Sequence, residues 1–222
     1  LKDALRGETV SHLLVTHTHL DHSPATQDLK EYTGAKSYGF GPHGSGQELG
    51  PLKNESVEEG ADKAFVPDQT IADGDIISGP NWTLEAIHTP GHTSNHLCYA
   101  LLEESTLFSG DHVMGWSTTV ISPPDGNMGD YMHSLKRLSK RPERKFWPTH
   151  GPSIDEPGLF VPALIQHRYD REKQIINCVK AGITSIPEIV KHLYQDIDQN
   201  LHKAAARSVL SHLIHLIETK RA

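Results

Sequence analysis

Short apolar runs alternate along the chain with polar segments punctuated by glycine and proline. Ser11–Thr16 carries Leu13-Leu14-Val15 and predicts a buried strand, which opens directly into a polar stretch at 17–22. Before it, Leu1–Arg6 reads as a helix end closed by Gly7. Pro24–Thr33 predicts a helix, with Ser23 as N-cap, Pro24 in the first position and Gly34 at the end. Ala35–Phe40 predicts a second strand, and the aperiodic 41–60 a long loop near a site. Strands are then expected at Phe65–Val66, Ile76–Ile77, Trp82–Ile87, Leu97–Leu102 and Thr106–Phe108, with turns at Asp73-Gly74 and Glu103-Glu104-Ser105. Asp130–Arg141 places Tyr131, Leu135 and Leu138 on one helical face, and Phe146–Trp147 reads as a last strand.

After Pro157 the pattern is helical only. Helices are expected over 160–182, ended by Gly182, over Ile186–Tyr194, and over 201–219, where Val209, Leu213 and Leu216 or Ile217 recur at helical spacing. The order divides the chain into an α/β unit at 1–157 and a small all-α, helix-turn-helix-like unit at 158–222. Charge divides it similarly. Residues 1–158 hold 12 Lys+Arg against 22 Asp+Glu, and residues 159–222 hold 9 against 6.

Composition narrows the classes. The 222 residues include two cysteines, Cys98 and Cys178, so neither a disulfide framework nor a cysteine-rich zinc module is available. Cys98, beside Leu97, reads as a core residue. No apolar run approaches membrane-spanning length and no signal peptide is visible, so a reducing, cytoplasmic setting without a membrane partner is expected. Sixteen histidines are an excess that points to metal or proton chemistry where they cluster.

They cluster at Thr16-His17-Thr18-His19-Leu20-Asp21-His22. In an extended segment, His17 and His19 point the same way and can reach one metal ion. Asp21 and His22 lie where the chain turns into the next helix and project elsewhere, so one loop can serve two adjacent metals. Three more strand ends have a similar form: Thr89-Pro90-Gly91-His92-Thr93, Ser109-Gly110-Asp111-His112 and Pro148-Thr149-His150-Gly151-Pro152. Imidazole and carboxylate from strand-end loops suit zinc, manganese or iron. His88, His96 and His112 lie close enough to act behind the ligands or as proton donors. His12, His43, His133, His167, His192, His202, His212 and His215 read as surface or helix-packing residues.

His-x-His-x-Asp-His, Gly-His, Gly-Asp and Thr-His-Gly, in that order, resemble the metallo-β-lactamase superfamily. The resemblance implies a four-layer αββα fold and two divalent metal ions, zinc foremost. One ion would be held by His17, His19 and His92, the other by Asp21, His22 and His150, with Asp111 between them. Asp21 would serve as ligand or orient the attacking water. An aspartate at 111, where true β-lactamases carry cysteine, resembles the hydroxyacylglutathione hydrolase and RNA-processing branches, so β-lactam hydrolysis is not expected.

The longer layout is similar to the β-lactamase-like protein 2 family, a metallo domain with a winged-helix tail. The matches are Gly129–Leu135, Arg171–Ile175 and Asn200-Leu201-His202. His202, Lys203 and Arg207 would be exposed on its last helix. This resemblance implies cleavage of single-stranded RNA by a hydroxide shared between the two ions. A thioester or lactone hydrolase and a metal-loaded nucleic-acid-binding protein without catalysis are the alternatives. Lys136, Arg137, Lys140, Arg141, Arg144 and Lys145 form a local basic cluster that would help an RNA substrate. The first residue is Leu1 and little precedes the first strand. The first sheet is therefore expected to be short of N-terminal strands, with an exposed edge that a partner chain, such as a second copy, would cover.

Overall fold

A computed structural model describes residues 3–47 and 60–221. Eight strands and five helices follow in the order β1 (His12–Leu14), α1 (Ala25–Thr33), β2 (Lys36–Gly39), β3 (Gln69–Thr70), β4 (Ile76–Gly79), β5 (Trp82–His88), β6 (Leu97–Leu101), β7 (Thr106–Gly110), α2 (Met128–Leu138), β8 (Lys145–Pro148), α3 (Pro157–Lys180), α4 (Ile186–Leu193) and α5 (His202–Glu218). Among the described residues the first sheet has three parallel strands, β1-β2-β3. The second has five, β4-β5-β6-β7-β8, antiparallel except for the last pair.

The two sheets pack face to face, and the period of two on the central strands explains how. On β6, Leu97 and Tyr99 point to the inter-sheet core with Ile71, Ile77, Leu84 and Ala86. Its alternate residues Cys98 and Ala100 point to the other core, with Leu107, Tyr131, Leu135, Phe146 and Val161 of β7, α2, β8 and α3. A strand buried on both faces reads as a continuous apolar run, as Leu97–Leu101 does. With α1 against the first sheet and α2 and α3 against the second, the architecture is the expected four-layer αββα α/β fold. The phenol of Tyr99 ties the sheets together by donating to the Val15 carbonyl at 2.8 Å.

α3 serves two cores. Its first half gives Val161 and Leu164 to the main core, and its second half packs Ile175 and Cys178 against Ile189, Val190, Ala205 and Val209 of α4 and α5. Ser185 caps α4 by accepting from the Glu188 amide. On α5 the buried stripe runs through Val209 and Leu216, whereas Ile217 is exposed. His202 and Arg207 are half-buried, so of the three residues expected to be exposed there only Lys203 is. No described helix is long and apolar enough to cross a membrane.

Several sequence expectations need correction. Phe65–Val66 is not a strand. The Asp62 carboxylate accepts from the amides of Ala64 and Phe65 and turns the chain, and pairing with β2 resumes only at Gln69–Thr70. Ser23 does not cap α1, because its hydroxyl donates to buried Asp62 at 2.7 Å, a charged and therefore stronger acceptor. α2 begins two residues early, capped by Asn127, and ends at Leu138. α3 starts three residues early, at Pro157 in its first turn. Residues 3–7 form turns and not a helix end, while Leu1 and Lys2 lie outside the described residues. Of the long loop at 41–60, residues 48–59 also lie outside them.

Candidate metal centre

The site lies where β1, β5, β7 and β8 end and their loops converge, at one edge of the two sheets. The loop after β1 is held extended. Thr16 O accepts from Leu97 N at 2.7 Å, Thr18 O from Asp62 N at 2.8 Å, and Leu20 N donates to Gly60 O at 2.8 Å. Extension puts His17 and His19 on one side. His17 Nε2 lies 3.1 Å from His19 Nδ1, which lies 3.0 Å from His92 Nε2. A second group forms where the chain turns into α1. His22 Nε2 and His150 Nε2 lie 3.4 and 3.2 Å from Asp21 Oδ2.

Asp111 stands between the two groups. Its Oδ2 is 3.6 Å from His92 Nε2 and 3.5 Å from His22 Nε2, and its Oδ1 is 3.5 Å from His150 Nε2. Three sets of donor atoms each converge within 4.8 Å: His17, His19 and His92; His17, His22 and Asp111; Asp21, His22 and His150. Four ligands at about 2.0–2.1 Å from one tetrahedral ion stand about 3.3 Å from one another. The separations here, 3.0–3.6 Å, have that size. Buried His22 Nε2 has no hydrogen-bond partner among the described residues. Convergent imidazole nitrogens and carboxylate oxygens fit metal ions of the nitrogen- and oxygen-binding kind.

The surroundings hold the donors in this geometry. His92 Nδ1 donates to Val120 O at 2.7 Å, which leaves Nε2 bare toward the site. Gly91, with φ +139°, lies against the backbone of Tyr131, where any Cβ would collide. The Asp111 amide donates to His96 Nε2 at 3.1 Å, the Thr119 hydroxyl donates to the Asp111 carbonyl at 2.6 Å, and Thr149 Oγ1 donates to Asp111 Oδ1. Burial pushes the Asp111 carboxyl upward, but the nearby His22 and His92 imidazoles and the Thr149 hydroxyl outweigh it and hold the group below the usual carboxylate range. Burial first, and neighbouring imidazoles second, push His92 down to about 4 and His17 well below the ordinary histidine value. Neutral imidazole is the form that binds metal.

All seven residues read as ligands from the sequence meet here. The other three histidines separate. His96 braces Asp111 and pairs through Nδ1 with Thr89 Oγ1 at 2.8 Å. His112 is buried with both ring nitrogens unpartnered among the described residues, 4.6 Å from the Tyr131 ring. His88 stacks on Phe40 at 4.0 Å and donates to Ser94 O, so it braces a loop and does not face the donors. Cys98 is fully buried, and burial pushes its thiol up to about 12, as fits a core residue and not a nucleophile.

Sequence reasoning missed Thr119 and Val120, which lie in an aperiodic stretch with no motif. It also missed Trp116, which stacks on His150 at 6.1 Å with the rings 7° apart. Trp116 is 71 % exposed and Leu20 61 %, so an apolar rim borders the open side of the site. An exposed tryptophan beside Gly115 was the one available signal. Half of the expected basic cluster is committed: Arg137 pairs with Asp73, Arg141 with Glu85 and Glu143, and Lys145 with Asp155.

Comparison with known proteins matches residues 2–150 to the metallo-beta-lactamase superfamily and residues 185–222 to the beta-lactamase associated winged helix domain. The lactamase-like protein adaB of Aspergillus niger is 27 % identical over 97 % of this chain and 65 % of its own length. An atrochrysone carboxyl ACP thioesterase of Pseudocercospora fijiensis is 26 % identical over 94 % of this chain and 58 % of its own length. The chain thus spans 58–65 % of the length of these relatives. Among solved structures, the metallo-beta-lactamase family protein TTHA1429 of Thermus thermophilus superposes with a TM-score of 0.76, at 21 % identity, over 98 % of this chain and 78 % of that one. TTHA1623 in a di-iron-bound form gives a TM-score of 0.55, at 25 % identity, over 71 % of this chain and 79 % of that one.

Proposed function

The chain belongs to the metallo-beta-lactamase superfamily, and from that premise we propose that it is a metal-dependent hydrolase of acyl thioesters. The observation that carries this is Asp111 facing two groups of donors at once. His17, His19 and His92 would hold one ion and Asp21, His22 and His150 the other, with Asp111 shared. Nitrogen and oxygen donors at these spacings favour zinc, with manganese or iron as alternatives. Bound there, such a pair would supply an acidified water molecule and polarisation of the attacked carbonyl. The chain's own residues do the rest. Asp21, the exposed carboxylate at the mouth, would orient the water and take its proton through the oxygen not turned toward His22 and His150. The water oxygen bonds to the acyl carbon, the carbon–sulfur bond breaks, and the departing thiolate takes the proton back from Asp21, so that a carboxylic acid and a thiol leave. Thiolates depart readily because their conjugate acids ionise near pH 8.5.

Two features favour a thioester over the RNA phosphodiester expected from the sequence. One relative is named as a thioesterase. Three of the six basic residues that would draw a polyanion, Arg137, Arg141 and Lys145, are held in ion pairs, while exposed Trp116 and Leu20 put apolar surface at the rim. Only the C-terminal winged-helix match speaks for nucleic acid. The units are taken as 1–157, carrying the chemistry, and 158–222, a helical appendage joined through α3. The two free, buried cysteines accord with a cytoplasmic location.

The test is a panel of acyl-thioester, lactone and single-stranded RNA substrates offered to the zinc-loaded protein. Turnover of the thioester at least 100-fold above the others is expected, and RNA cleavage in its place would overturn the substrate assignment. Trp116 gives a finer check. Trp116→Ala should raise KM for a long-chain thioester about tenfold, the equivalent of about 1.4 kcal/mol of aromatic contact, with kcat within twofold. Steady-state kinetics with long and short acyl chains reads this directly, and the short chain should be affected less.

A further inference from the structure

A second cavity, on the other side of the ligand-bearing loops, lies between α2, α3 and α5. Its volume is about 350 Å³, at the lower end of the range for small-molecule sites. Arg168 and His212 line it and are 2 % and 1 % exposed. The Arg168 guanidinium donates to the Thr119 carbonyl and lies 5.1 Å over the Tyr131 ring, but among the described residues no carboxylate pairs with it and its Nε has no partner. Neither ring nitrogen of His212 has one. His133, Lys136 and His215 add further nitrogen donors at the rim. The one carboxylate lining the cavity, Glu172, is already taken by Arg221 at 2.6 Å.

A buried guanidinium with an unused N–H, beside a buried imidazole with none of its hydrogen bonds made, is costly unless an acceptor enters. The acceptor these groups suit is anionic and has several oxygens, because guanidinium, imidazole N–H and ammonium donors then converge on it together. Burial first, and the Arg168 charge second, push the His212 imidazole down to about 3, so the ring enters this set as a neutral N–H donor.

We propose that the cavity between α2, α3 and α5 is a binding site for a phosphate-bearing small molecule, seated on Arg168 and His212 and closed by Lys136. It is separate from the metal centre and independent of the thioester reading. Through Arg168 it lies directly behind Thr119, whose hydroxyl holds the Asp111 carbonyl.

Titration calorimetry on the full zinc-loaded chain tests this with two probes, inorganic phosphate and glycerol 3-phosphate. Both are expected to bind the wild type. Binding should persist in His19→Ala, which disables the metal centre, and weaken at least tenfold in Lys136→Ala and Arg168→Gln. Lys136 is exposed on the rim, so its variant remains decisive if Arg168→Gln does not fold. Tighter binding of glycerol 3-phosphate than of phosphate marks a phosphate monoester as the ligand, and equal or weaker binding marks free phosphate. Three results would overturn the site: no binding, unchanged binding in Lys136→Ala, or loss in His19→Ala alone. The last would assign the phosphate to the metals.

Discussion

An Asp111→Asn variant will fold and lose at least two orders of magnitude in thioester hydrolysis, with fewer than two metal ions retained per chain. The reason is charge and position. Asp111 is the residue within 3.6 Å of donors from both groups, so its carboxylate would neutralise two cations at once. Groups that merely orient a metal ligand contribute about 10–100-fold in affinity or activity. A shared ligand should exceed that range. Asparagine keeps the shape and an oxygen for the Thr149 hydroxyl, so the fold has no reason to fail. Metal content by mass spectrometry and kcat/KM are the two readouts, and near-normal values of both would show that Asp111 does not bridge.

The second large effect is on stability. Gly91→Ala should lower Tm by about 10 °C and release metal. The φ of +139° is one that residues with a side chain rarely adopt, and a Cβ there would run into the Tyr131 backbone. Backbone strain of about 1–3 kcal/mol and a similar overpacking penalty add, and each kcal/mol is worth about 2–4 °C in a chain of this size. His92 follows directly, so relief of the clash moves a ligand. Calorimetry of the metal-loaded variant measures the shift, and a Tm within 2 °C of wild type would mean that α2 gives way freely.

The seven candidate donors were legible because their signal is local. Each donor sits at a strand end marked by glycine, threonine or a neighbouring histidine, and chain order alone arranges the four segments. The continuous apolar run of β6 and the 3.6-residue periodicity of α2 were legible for the same reason. What escaped depends on distant partners. Asp62 captures Ser23 and turns the chain at Ala64 and Phe65, so both a cap and a strand vanish through a residue about forty positions from the first and two or three from the second. Thr119 and Val120 support Asp111 and His92 through a hydroxyl and a backbone carbonyl, and a carbonyl has no residue identity to read. His212 reads as a helix-packing histidine, and only the meeting of α2, α3 and α5 shows that its nitrogens have been left without partners.

Seven side chains are proposed to hold two metal ions for the hydrolysis of a thioester. Metal analysis of the purified chain, coupled to thioester turnover during stepwise removal and return of zinc, tests it most directly. Two ions per chain are expected, with activity falling as they are removed and returning as they are restored, and neither binding nor turnover in His19→Ala. Turnover that persists after both ions are removed, or two bound ions with no hydrolysis of any substrate in the panel, would contradict it.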